Sequence, residues 1–233
     1  MSDTKVFSRR RALKGGLGVA GGGLLLATGA TALATPALAA EAAPGEKKQD
    51  WRGDTSANGW RITGDGIAHH VVEGSNLTVE LRTGDVATVL LYALRRFHYE
   101  VDHRLTGKDV TGHTVDRAVA AGFESNALSG TAFTVRPDAY PLGARDCFFP
   151  EDVAVIRDIL ADCEGTVRWG GDEPQPKQSH FQIDVGPGDA KLARVAAKIR
   201  SWDAEPGSGA GTVDAFAPGR RPTADALARR QAA

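Results

Sequence analysis

The sequence predicts an α+β fold, a small antiparallel sheet packed by helices. Short stretches such as Leu77-Thr78-Val79-Glu80-Leu81 alternate apolar and polar residues, the two-residue period of a half-buried strand. Longer stretches repeat apolar residues every three or four positions, the period of an amphipathic helix. The two kinds are mixed without a regular βαβ rhythm, which argues against a doubly wound parallel sheet.

The elements follow in order. After the strand at 77–81, Thr83-Gly84-Asp85 punctuates a helix start. Val86, Val89, Leu90, Ala93, Leu94, Phe97 and Val101 then form the buried stripe of a helix over 85–103. Residues 131–136 read as a strand, with Ala132 and Thr134 on one face and Phe133 and Val135 on the other. Pro150, followed by Glu151 and Asp152, opens a second helix whose stripe is Val153, Ile156, Ile159, Leu160 and Cys163, and Gly165 ends it. Val167-Arg168-Trp169 and residues 181–185 give two more strands. A closing helix over 189–202 carries Leu192, Val195, Ile199 and Trp202.

Four segments differ in material. Residues 1–14 carry Lys5, Arg9, Arg10, Arg11 and Lys14 against the single acid Asp3, and Gly15 to Ala40 holds no charge. That layout, with Ala37-Leu38-Ala39 as a small-x-small cleavage site, predicts a signal peptide over 1–39. The run Ser8-Arg9-Arg10-Arg11-Ala12-Leu13-Lys14 resembles the twin-arginine export motif, which implies an extracellular or wall-associated protein with no membrane span after cleavage. The alternative is an uncleaved anchor, since the uncharged run is long enough to span a bilayer; its many glycines weaken that reading. Residues 40–50 read as a flexible leader and 51–202 as one folded domain. The Pro- and Gly-rich stretch 203–233 reads as a disordered tail, in which residues 224–230 could form a short helix.

Charge excludes a nucleic-acid partner. The whole chain has 28 Lys+Arg against 29 Asp+Glu, and losing five basic residues and one acidic residue with the signal leaves 23 against 28, a net of about −5. The two cysteines are expected to stay apart. A helix from Pro150 to Cys163 spans about 20 Å, the three residues back to Cys147 recover at most about 10 Å, and the gap exceeds the ~7 Å reach of a disulfide.

The chemistry-bearing landmarks are Ser125-Asn126-Ala127-Leu128-Ser129-Gly130-Thr131-Ala132-Phe133-Thr134, then Tyr140-Pro141-Leu142-Gly143, Arg168-Trp169-Gly170-Gly171-Asp172 and Ser179-His180-Phe181-Gln182-Ile183-Asp184. This set resembles the zinc D-alanyl-D-alanine carboxypeptidase (VanY-type) family, and implies the hedgehog/DD-peptidase fold over about residues 77–185. In that family a pattern S-x-H-x-x-G-x-A-x-D supplies two zinc ligands. A later His before an aromatic residue and an I-D pair supplies the third, and a carboxylate two or three residues before that His is the general acid/base.

Carried over residue by residue, the first ligand position is Ala127, the second Thr134 and the third His180. The carboxylate positions hold Lys177 and Gln178. A catalytic zinc needs three protein ligands and an open position for water. Ala has no donor atom, Lys177 carries the wrong charge, and Gln178 cannot take a proton. The resemblance therefore implies a frame without its metal chemistry, in which His180 reads as a hydrogen-bonded structural histidine at a strand start. Ser125, Gly130 and Ala132 keep the small-residue pattern, and Trp169-Gly170-Gly171 keeps the tight loop before the last strand.

A retained cleft without chemistry implies binding, with peptidoglycan or its stem peptides as the ligand, no cofactor, and a monomer. Ser125, Arg136, Arg168 and Trp169 are the candidate ligand-binding residues, the arginines because guanidinium pairs bidentately with carboxylate. The alternative is a working zinc metallopeptidase with a relocated site, drawing on Asp138, Asp172, Glu173, His98, His103 or His113. Asp184 lies about 13 Å along the strand from His180, too far to share a metal with it.

The remaining signals are weak. Arg52-Gly53-Asp54 near a flexible end reads as chance, and Asn76-Leu77-Thr78 matches a glycosylation sequon without relevance for an exported bacterial chain. His69-His70 reads as flanking a strand rather than binding metal. No P-loop, G-x-G-x-x-G, G-x-S-x-G or H-E-x-x-H motif is present.

Overall fold

The computed structural model describes residues 47–205 and 207–231. The expected export signal and most of the expected leader lie outside the described residues. Eight strands and four α-helices follow in chain order: β1 (Gln49–Asp50), β2 (Ile67–Val71), β3 (Thr78–Arg82), α1 (Asp85–Glu100), β4 (Val110–Thr111), β5 (Ala118–Val119), β6 (Ala132–Val135), α2 (Pro150–Asp162), β7 (Val167–Trp169), β8 (His180–Ile183), α3 (Ala190–Asp203) and α4 (Arg220–Gln231). A 3-10 turn, Gly122–Ala127, precedes β6, and a second, Gly170–Asp172, follows β7. The fold class is α+β, with small antiparallel sheets.

The central sheet has the order β4-β6-β8-β7, every neighbour antiparallel, and two further pairs, β2-β3 and β1-β5, stand beside it. Strand alternation gives this sheet two unlike faces. Phe133, Val135, Val167, Trp169, Phe181 and Ile183 all enter the hydrophobic core. There Phe133 stacks on Phe181 at 5.1 Å between centroids, and Phe97 of α1 meets Phe181 edge-on at 5.6 Å. Such aromatic pairs each add about 0.5–1.5 kcal/mol beyond the area they bury. Register puts Thr134 opposite His180 and Ala132 opposite Gln182, so the other face carries the polar side chains of Thr134, His180 and Gln182 beside the small Ala132.

Helix α1 stops at Glu100, three residues before the expected end, because the Val101 and Asp102 N–H groups both close on the Phe97 carbonyl. The Asp102 carboxylate then accepts from the Arg104 N–H and turns the chain away. Residues 67–71, which patterning left outside any element, form β2 and pair with the expected strand β3.

The largest departure lies in the C-terminal segment. Pro/Gly content predicts a tail without structure, yet α4 packs on α2, with Ala224 and Leu227 buried. Arg220 supplies the anchor: its guanidinium donates to Asp158 at 2.7 and 2.8 Å and to Asp162 at 2.8 Å. From the other side Arg96 of α1, wholly buried, reaches Asp158 at 2.9 Å, Asp162 at 2.8 Å and Glu100 at 2.5 Å. Two carboxylates one turn apart on α2 are thus shared between arginines from α1 and α4, and burial of these charges is tolerated because each is paired. At the far end of α4 the Gln231 amide donates to the Val167 carbonyl, and Arg168 donates to the Gln231 carbonyl. Strand β7 is an edge, and these contacts cover it.

Cys147 and Cys163 lie at opposite ends of α2 as free thiols. Cys163 is fully buried, and burial pushes its thiol up to about 12. No helix among the described residues is long and apolar enough to cross a membrane.

Candidate functional site

The polar face of the sheet forms the floor of a cavity of about 500 Å³, which includes Ala127, Thr134, Lys177, His180, Glu124 and His113 in its lining. Its lining also takes in Ala118 and Val119 of β5 and Lys48, the residue before β1, which pairs with β5. Ala127, Thr134, Lys177 and His180, named by the motif from positions 53 residues apart, therefore meet in one place. They meet because Gly122–Ala127 delivers position 127 just before β6, and Thr134 of β6 faces His180 of β8 across the ladder. Gly130 makes the approach possible. It has φ +68°, and a Cβ there would come within 2.8 Å of the Arg82 backbone nitrogen, which donates to the Gly130 carbonyl.

The chemistry of the floor is set by few groups. Lys177 pairs with Glu124 at 2.5 Å, and the second Glu124 oxygen accepts the Ala120 and Ala121 N–H groups at 2.7 and 3.1 Å. Burial raises the Glu124 carboxyl, but Lys177 and the two backbone donors pull it down further, so it is held below the usual carboxylate range. Thr134 and Thr111 spend their hydroxyls on each other. His180 is buried, with Phe123 tilted against its ring at 5.2 Å. Burial first, and the Lys177 ammonium second, lower its pKa to about 4, so the imidazole is neutral at physiological pH.

A buried polar chain behind the floor fixes the state of His180. The Glu173 carboxylate accepts from Gln182 Nε2 at 3.1 Å, which turns Gln182 Oε1 toward Asn126 Nδ2 at 2.7 Å and His180 Nε2 at 3.1 Å. An amide oxygen only accepts, so His180 Nε2 carries the proton. Nδ1 is then a bare acceptor, and among the described residues it has no hydrogen-bond partner. Glu173 itself has its pKa raised, chiefly by burial.

The other expected site residues are placed elsewhere. Gln178 accepts the Cys147 N–H with its side chain and the Trp169 indole N–H with its carbonyl, away from the cavity. Trp169 is a core residue, and Arg157 lies over its ring at 5.0 Å. Ser125 is fully buried, accepting the Ala57 N–H and donating to the Gly122 carbonyl. Arg136 faces Asp102 at 2.8 Å, though its Nε–H is not aligned on that oxygen. Arg168 is held by Asp184 at 2.9 Å and by the Gln231 carbonyl. These five side chains are engaged in packing, hydrogen bonds or ion pairs and do not line the cavity. Asp172 pairs with Arg157, while His69 meets Glu80 at 2.9 Å on the hairpin.

The donor set does not fit zinc. Ala127 offers a methyl group, the Thr134 hydroxyl is engaged, a positive Lys177 stands beside His180, and the other lining imidazole, His113, lies 4.0 Å from Glu80. Among the described residues no group of three or more His, Cys, Asp or Glu side chains is arranged to hold a metal ion. Glu124 and Gln182 were not singled out as site residues by sequence; only their partners, Lys177 at a separation of 53 and His180 at two, reveal them. Compared with models of known families, with curated proteins and with solved structures, the chain matches none.

Proposed function

We infer that this chain is an exported protein with the hedgehog/DD-peptidase fold of the zinc D-alanyl-D-alanine carboxypeptidases, and that it binds peptidoglycan stem peptides at the cell wall without cleaving them. The observation that supports this most is the meeting of Ala127, Thr134, Lys177 and His180 on one cavity floor. The motif assigns those four positions to the metal and the acid/base, and residues unrelated in role have no reason to share a cavity. What fills the floor is an ammonium–carboxylate pair and a neutral imidazole, a set suited to hydrogen bonding rather than to Lewis-acid catalysis.

The reading with a relocated zinc site is less well supported, because Asp172 and Glu173 of its set are committed to Arg157 and Gln182, and Glu124, which lines the cavity, is held by Lys177 and two backbone N–H groups. The test is retention of the purified protein on purified peptidoglycan. Retention that free stem peptide competes away is the expected result, and no retention removes the binding claim.

A further inference from the structure

We propose that the cavity selects a stem peptide already trimmed by one residue, with Lys177 donating to the free carboxylate that trimming leaves and Lys48 standing as a second cation. This rests on the binding reading above and says which form of the ligand the same cavity holds. The reaction that must supply such a ligand is hydrolysis of the last peptide bond by another enzyme, in which water adds to the carbonyl and the last amino acid leaves as an amine.

Three features of the lining lead to it. The first is spare donor capacity. Lys177 and Glu124 both line the cavity, and their charged ends meet, Nζ on Oε1. An ammonium has three N–H groups, and Glu124 is the one partner of Nζ among the described residues, which leaves two donors. The Lys177 side chain keeps 16% of its surface exposed, so it is open to a ligand. Glu124 accepts from Lys177, Ala120 and Ala121, and its charge is spent on protein donors. The second feature is Lys48, which lines the same cavity, is exposed, and has no ion pair or side-chain hydrogen bond among the described residues. Asp116, the other lining carboxylate, gives one oxygen to the Ala118 N–H. The lining charges sum to zero, so selection rests on the groups with hydrogen bonds left to give, and the two ammoniums hold most of these.

The third feature is where the positive charge stands. The motif assigns a proton-transferring carboxylate to position 177 or 178, and Gln178 is turned away from the cavity onto the Cys147 N–H, so Lys177 alone answers to that place. A proton-transferring group has to lie within hydrogen-bond reach of the bond that is cut. A ligand seated in that register brings the carbonyl of its penultimate residue to Lys177. In the uncut peptide this carbonyl belongs to a neutral amide. Once the last residue is gone it is one oxygen of a carboxylate, and an ionised acceptor makes hydrogen bonds roughly twice as strong as a neutral one. A carboxylate at position 177 would repel that trimmed end, and the ammonium holds it.

The test titrates three probes into the purified protein by calorimetry: diacetyl-L-lysyl-D-alanine as the free acid, its primary amide, and diacetyl-L-lysyl-D-alanyl-D-alanine. The amide tests the charge and the longer peptide tests the register. The free acid is expected to bind about tenfold more tightly than either of the others. Lys177→Gln combined with Glu124→Gln removes the ion pair without leaving a lone charge, and is expected to reduce the acid–amide ratio to about threefold or less. Lys48→Gln, on an exposed side chain, is expected to weaken the acid about threefold and to leave the amide unchanged.

An amide that binds as tightly as the acid overturns the inference, as does a longer peptide that binds as tightly as the trimmed one. A double variant that keeps the native backbone spectrum and the full acid–amide ratio overturns the assignment to Lys177. Where that variant does not fold, the three peptides on the wild type still decide, and a Lys48→Gln protein that holds the acid as tightly as the wild type removes Lys48 from the account. If peptidoglycan is still retained in any of these cases, the binding reading survives while this account of it does not; no binding of any of the three peptides, with no retention, removes both.

Discussion

Lowering the pH should destabilise the protein through His180 before the Glu124 carboxylate is involved. In the native state the ring is buried beside Lys177 and titrates at about 4, against about 6.5 in an unfolded chain. Below pH 6.5 the unfolded state therefore binds a proton that the native state refuses. Stability is intact above that pH, is lost as pH falls through the window, and levels off below about pH 4. At about 1.4 kcal/mol per pH unit, a gap of about 2.5 units gives a loss of about 3 kcal/mol. Glu124, whose carboxyl is depressed, adds its own loss only below its unfolded value of 4.5, while Glu173, whose carboxyl is raised, takes up its proton first in the native state and offsets part of the loss, so the comparison with a His180 variant isolates the histidine. Urea unfolding at half-unit steps of pH, compared between the wild type and His180→Gln, measures it. The variant should lose about one proton from the pH slope in that window. An unchanged slope, or an NMR titration of His180 near 6.5, refutes the burial argument.

Three other perturbations address the frame. Rebuilding the donor set with Ala127→His, Thr134→Asp and Lys177→Glu together should raise zinc affinity by orders of magnitude, read by competition with a chromophoric chelator; Gln178 is left alone because its side chain binds the Cys147 N–H outside the cavity. Leu227→Ala should cost about 2–4 kcal/mol in urea unfolding, since that side chain is buried in the core from the C-terminal helix. Free dangling of that helix predicts no change. Arg96→Met should cost about 3–5 kcal/mol by the same measurement, because it strips Glu100 of its arginine and leaves Asp158 and Asp162 with Arg220 as their one guanidinium among the described residues.

Period and punctuation carried most of the fold. Leu77 to Leu81, the stripe from Val86 to Phe97 and Pro150 at the head of α2 are local signals, and local signals survive in one chain. What they could not carry was pairing at a distance. Strand β2 holds His69 and His70 and looks too polar to be a strand, yet it is stabilised by its ladder with β3. Helix α4 is polar on average, and its docking depends on Arg220 finding two aspartates 58 and 62 residues earlier.

The site divides in the same way. Ala127, Thr134, Lys177 and His180 stand at fixed offsets in recognisable runs, so their gathering was legible. Ser125 and Trp169 belong to the motif frame and Arg136 and Arg168 have the chemistry for carboxylates, yet their surroundings commit them to backbone, core and carboxylate within the fold. His180 has the hydrogen bond expected of a structural histidine on one ring nitrogen only. Its Nε2 is tied into a buried chain, while its Nδ1 stays unspent.

The claim that this cavity binds without a metal is tested most directly by assaying one preparation for zinc, for release of D-alanine from a stem pentapeptide, and for peptide binding in the presence of a strong chelator. The account predicts negligible zinc, no release of D-alanine and binding that the chelator leaves unchanged. Near-stoichiometric zinc together with D-alanine release would contradict it.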